Sequence, residues 1–192
     1  LKNSMKMGCT ESSVYYINLL LKGKIIPRSF EKAKKIIETQ LKGKDEEMYN
    51  LMLGKLLIKE KKYEDAIEHF KKAVSFGNAE AMYEIGRLLL IGKGSPINKE
   101  NGVKYFKDAI EKNCIQAMYK YGVLLLKGEE LEINKEEGVK YIKMAADHNH
   151  TKALFCYAMM LKKGEVVPID KKESERYLRQ AVDKGNNEAT YQ

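Results

Sequence analysis

At 192 residues, with 44% hydrophobic and 32% charged side chains, the chain is long enough for a buried core and too apolar to stay disordered. No apolar run approaches the roughly 20 residues of a membrane-spanning helix, so no membrane insertion is expected from these residues. The formal charge of +8 is concentrated at one end: residues 1–44 carry ten Lys/Arg against three Asp/Glu, and the rest is nearly balanced.

Residues 1–10 read as an N-terminal extension. They pair no basic start with a sustained apolar stretch and a small-residue cleavage site, so no secretory signal is expected. The compartment stays open, with the cytoplasm favoured. A first helical unit is predicted at about 11–44, where Leu19-Leu20-Leu21-Lys22-Gly23 has the form of a helix end. Arg28, Lys32, Lys34, Lys35, Lys42 and Lys44 follow, spread among Phe30, Ala33, Ile36 and Ile37. Cations so dispersed describe a solvated helix exterior. Base-stacking aromatics are not interleaved with them, so nucleic acid is not the expected partner. A second unit is predicted at 45–78, with Leu53-Gly54, Ala66, Phe70 and Ala73 at helical-hairpin spacing and a shorter internal loop.

From residue 79 the chain repeats. Ala81, Ala117, Ala153 and Ala189 are 36 residues apart, and Tyr83, Tyr119, Phe155 and Tyr191 keep the same interval. So do Gly86, Gly122 and Ala158; Gly92, Gly128 and Gly164; Ile97, Ile133 and Ile169; Tyr105, Tyr141 and Tyr177; and Ala109, Ala145 and Ala181. The small residues at 86, 122 and 158 suit close helix approach, and the glycines at 92, 128 and 164 suit left-handed C-caps. Asn98, Asn134 and Asp170 suit N-caps of the second helix in each unit. Units are therefore predicted at about 79–114, 115–150 and 151–186, with the start of another at 187–192. Residues 11–192 form a single repeat domain in this reading. The chain is expected to be an excised piece, or to cover its open end by self-association.

Chemistry is sparse. Cys9, Cys114 and Cys156 form no disulfide or metal-ligand spacing; all three are expected as thiols, with Cys156 a small core residue. His69, His148 and His150 are expected to be solvated. Gly92-Lys93-Gly94-Ser95 lacks the glycine spacing and preceding strand of a phosphate loop. No catalytic residue, metal site or cofactor is predicted.

The segment NAEAMYEIGRLLLIGKGSPINKENGVKYFKDAIEKN resembles the Sel1-like repeat, with its A-x-Y-x-L-G start, glycine loop and K-Y-x-x-x-A second helix. Residues 45–78 resemble the related tetratricopeptide repeat. The resemblance implies an all-α fold, an α/α superhelix (solenoid) of about five antiparallel helix hairpins. It implies a protein or peptide partner, including one that offers acidic groups, held on a concave face lined by the first helix of each hairpin. Carried onto this sequence, that face holds Tyr83, Arg87, Tyr119, Val123, Lys127, Phe155, Met159 and Lys163, with Leu51 and Leu90 beside them. Arg87 and Met159 break the local pattern and are expected to be exposed. Tyr83, Tyr119 and Phe155 occupy consensus positions, where packing is the competing role. The expected function is a non-catalytic adaptor or scaffold. The alternative is a structural or regulatory segment of a larger multidomain protein, and a hydrolase-type enzyme ranks third.

Overall fold

The computed structural model describes residues 10–191, which form ten α-helices and no strand. Cys9 lies outside the described residues. The helices pair as five hairpins: α1 (Thr10–Lys22) with α2 (Phe30–Ile36), α3 (Glu46–Lys59) with α4 (Tyr63–Ser75), α5 (Ala79–Ile91) with α6 (Lys99–Glu111), α7 (Ile115–Lys127) with α8 (Lys135–Asp147), and α9 (Thr151–Lys163) with α10 (Lys171–Asp183). The chain divides into two compact units, residues 1–105 and 106–192, with the boundary inside α6.

The registered columns have local causes. At the end of α5, α7 and α9, Gly92, Gly128 and Gly164 take the left-handed conformation (φ 64°, 72° and 73°). Over each of them lies the isoleucine five residues on. A Cβ at Gly92 would fall 2.7 Å from Ile97 Cγ1, and Ile133 and Ile169 sit likewise against Gly128 and Gly164. The glycine and isoleucine columns are thus one cap: the chain reverses only where no side chain blocks the isoleucine. The seven-residue loops then lead into α6, α8 and α10. Asn98, Asn134 and Asp170 each accept a hydrogen bond from the backbone N–H three residues later, at 3.0–3.1 Å.

In the N-terminal unit, Ile17, Leu20, Ala33, Ile37, Leu41, Leu56, Phe70 and Ile85 belong to one buried cluster. The Phe70 ring lies flat on Gly54, whose missing Cβ makes room for it. The second helix of the first hairpin departs from the expected regular form. It widens into a π turn over Ile37–Leu41, within which Ile37 and Leu41 are both fully buried. Asn50, also buried, donates to Glu46 O and accepts from His69 Nδ1 at 2.9 Å. His69 is therefore half-buried and hydrogen-bonded, not solvated as its place on a helix exterior suggested, and burial followed by Lys72 holds its pKa below the ordinary histidine range.

In the C-terminal unit, α7 and α8 cross with almost no space between backbones. A Cβ at Gly122 would lie 2.8 Å from Gly138 O and 3.1 Å from Ile142 N. The same crossing in the last hairpin pairs Ala158 with Ser174, whose hydroxyl donates to Ala158 O at 2.8 Å. Phe106, fully buried, stacks on Tyr121, and the Tyr177 hydroxyl donates to Asp147 at 2.6 Å, tying α10 to α8. Burial, with Glu137 and Tyr141 nearby, pushes the Tyr121 pKa up to about 12. Where a sixth helix was expected to begin, residues Ala189–Tyr191 form a single 3-10 turn.

Candidate functional site

The C-terminal unit carries an open cleft of about 510 Å³ between α7, the start of α9 and the turn at 185–188. Its lining has three sources. Tyr119 comes from α7. Thr151, Lys152, Phe155 and Cys156 come from the first two turns of α9. Gly185, Asn186, Asn187 and Glu188 come from the turn after α10. Tyr119 and Phe155 are half-buried, whereas Lys152 and Glu188 are exposed, so aromatic surface is flanked by one cation and one anion.

The walls are fixed by short-range bonds. His150 is the N-cap of α9: its Nδ1 accepts from Ala153 N at 3.2 Å, and its ring stacks on Tyr119 with centroids 4.6 Å apart at 27°. The Tyr119 hydroxyl meets Cys156 Sγ at 3.9 Å. Asn186 Oδ1 accepts from Glu188 N and Ala189 N, which sets the turn that carries Glu188. Burial, reinforced by Cys156, raises the Tyr119 pKa well above its ordinary value. Burial also pushes the Cys156 thiol up, against the opposing pull of the Tyr119 hydroxyl. A nucleophilic cysteine needs the reverse shift. The chemistry these groups support is contact: ring surface and hydrogen bonds from a wall held in place.

Several expectations change here. His150 is half-buried and bonded, not solvated, because it serves as a cap. Cys156 lies on a cleft wall and not in the core. Cys114 and Cys156 stand as thiols. Arg87 is not an exposed cation: its side chain is 27% exposed and its guanidinium binds Glu84, with Nη2 at 2.6 Å and Nε at 3.1 Å. Met159 is half-buried. Leu51 and Leu90, only 2% and 3% exposed, are packing residues, and Leu90 fills the space over Gly102. Of the eight predicted contact residues, the cleft gathers Tyr119 and Phe155. Val123 lies one turn further along α7 and is half-buried. Lys127 and Lys163 are exposed at helix ends beside Glu129 and Glu165, at 3.7 and 3.8 Å. Tyr83 and Arg87 belong to the N-terminal unit.

The cap gives a pH prediction. An imidazole that accepts at Nδ1 must be neutral, and burial followed by Lys152 lowers the His150 pKa. Its contribution is complete above the unfolded pKa of about 6.5 and is lost as pH falls through the lower folded value. Stability should decline as pH falls below about 6.5, and His150→Asn should flatten part of that decline. His150→Ala should cost about 1 kcal/mol at neutral pH. Thermal melts across this range check both effects.

Compared with known proteins, residues 49–76, 79–114, 115–150 and 151–186 match the model of the Sel1 repeat. The chain belongs to the Sel1 repeat family. Set against curated proteins, its sequence finds no match. Among solved structures, a Sel1 repeat protein from Oxalobacter formigenes superposes with a TM-score of 0.68 at 19% identity, covering 95% of this chain and 74% of that one. A Pseudomonas aeruginosa protein reaches 0.72 at 18% identity, covering 97% and 72%. A Sel1 repeat protein from Klebsiella pneumoniae reaches 0.64 at 16% identity, covering 97% and 92%. These likenesses show the fold alone, an all-α repeat superhelix. The Sel1 family itself is commonly a protein-interaction scaffold. The Sel1 match also takes in residues 49–76, which by sequence resemble a tetratricopeptide repeat.

Asn186, Asn187 and Glu188 do not follow from the helix positions because they lie in a turn, and Lys152, though helical, lies outside the positions that the repeat resemblance assigns to the concave face. A usable signal was present. Asn78, Cys114, His150 and Asn186 stand at the 36-residue interval, marking the cap column around which the cleft is built.

Proposed function

We propose that this Sel1 repeat protein is a non-catalytic adaptor, and that its C-terminal unit binds a segment of a partner protein in the Tyr119–Phe155 cleft. The observation that carries the reading is the placement of two half-buried aromatic rings on a pre-formed wall between Lys152 and Glu188. Aromatic surface on a rigid frame is what interface centres favour, since little entropy is lost on contact. The occupant is an extended segment with an apolar side chain against the rings. An acidic group on it meets Lys152, and a donor meets Glu188. Val123 and Met159 continue the apolar surface, and Lys127 and Lys163 supply outlying charge.

Affinity capture from the source organism tests this. The intact chain is compared with Phe155→Asp and Lys152→Glu, each first shown to melt like the wild type. A protein retained by the wild type should be lost from Phe155→Asp and reduced on Lys152→Glu. A partner held equally by all three chains would overturn the reading.

A further inference from the structure

The first hairpin carries charge that the cleft does not use. Over residues 10–44 there are eight cations and three carboxylates, Glu11, Glu31 and Glu38. Glu38 pairs with Lys42 at 3.3 Å. Lys22, Lys24, Arg28, Lys32 and Lys35 are exposed, and no described carboxylate stands within ion-pair distance of them. The fold gathers them at one end of the hairpin. Gly23 closes α1 in the left-handed conformation, and its missing Cβ admits Arg28, whose own Cβ would otherwise be 2.9 Å away. Ser29 N donates to Leu20 O, and Ser29 caps α2 by accepting from Lys32 N at 3.3 Å. The loop between carries Ile25, 76% exposed, next to exposed Pro27. Tyr15, 53% exposed, lies on α1 two turns before Lys22 and on the same face.

In the later hairpins Ile97, Ile133 and Ile169, five residues after the capping glycine, lie over it while staying 61–64% exposed, but two of those loops carry Glu129, Glu130 and Glu132, or Glu165 and Asp170. In the first hairpin Arg28 holds that fifth position over Gly23, and Ile25, two residues after the glycine, is a further aliphatic side chain with cations on both sides. Uncompensated cations around an aliphatic tip fit one surface best. An anionic bilayer attracts the cations through its headgroups and accepts the apolar tip at the acyl boundary. A nucleic-acid backbone would satisfy the cations but gives the isoleucine nothing to enter.

We infer that the first hairpin is a peripheral docking surface for an anionic lipid bilayer, with Ile25 as the entering residue and Lys22, Lys24, Arg28, Lys32 and Lys35 as the charge that draws it there. Sedimentation of the full chain with vesicles tests it. Vesicles of phosphatidylcholine with about a third phosphatidylserine should bind the chain, vesicles of phosphatidylcholine alone should not, and salt should weaken the binding. Lys24→Glu/Lys32→Glu/Lys35→Glu should lose on the order of a hundredfold, at about fivefold for each cation. That variant keeps Arg28 on the cap, and Glu at position 32 completes a capping box with Ser29, so the hairpin should still fold. Ile25→Ser should lose about fivefold on vesicles. Absence of binding to the anionic vesicles, equal binding to both vesicle types, or tighter binding to a single-stranded oligonucleotide with no effect of Ile25→Ser would each overturn the inference.

Discussion

Gly122→Val is expected to destabilise the C-terminal unit by about 3 kcal/mol. The reason is the identity of the neighbours. A Cβ at Gly122 meets Gly138 O at 2.8 Å and Ile142 N at 3.1 Å, and these are backbone atoms of α8 that cannot rotate away. Only a shift of the whole helix would make room, and that would open the packing of Ile142 and Ala145, both buried against α7. Urea unfolding of the full chain with the single substitution measures the loss. A midpoint unchanged from the wild type would mean that the α7–α8 crossing is looser than described here.

The hairpins were legible because each column of the 36-residue period answers one backbone requirement. Gly92, Gly128 and Gly164 sit where the helix must reverse, and Asn98, Asn134 and Asp170 sit where the next helix needs an acceptor. The π turn at Ile37–Leu41 was not legible, since its pattern of apolar residues is also that of an ordinary helix. Among candidate contacts, the period sets the position along a helix but not the exposure. Arg87 follows Glu84 by three residues, a spacing that predicts the ion pair now seen, whereas its break from the local pattern suggests a cation facing water. Leu90 lies on the stripe that α6 covers, which only the pairing of the two helices reveals. The cleft depends on α7, α9 and a turn being brought together, so half of its lining carries no periodic mark. His150 is the middle case: its interval from Asn78 and Asn186 identifies a cap, but its stacking on Tyr119 is a property of the fold.

The proposed partner is held against Tyr119 and Phe155. Titration calorimetry with the purified partner, on the full chain, tests it most directly. Removing the Phe155 ring takes away one wall of the cleft while leaving the His150 cap and the Tyr119–Cys156 contact in place. Phe155→Ala should weaken binding by about 2 kcal/mol, roughly thirtyfold in Kd. Arg179→Ala should leave binding unchanged, because that side chain lies on α10, outside the cleft, and is 82% exposed. A Kd for Phe155→Ala equal to that of the wild type, or a loss confined to Arg179→Ala, would place the partner elsewhere and contradict the account.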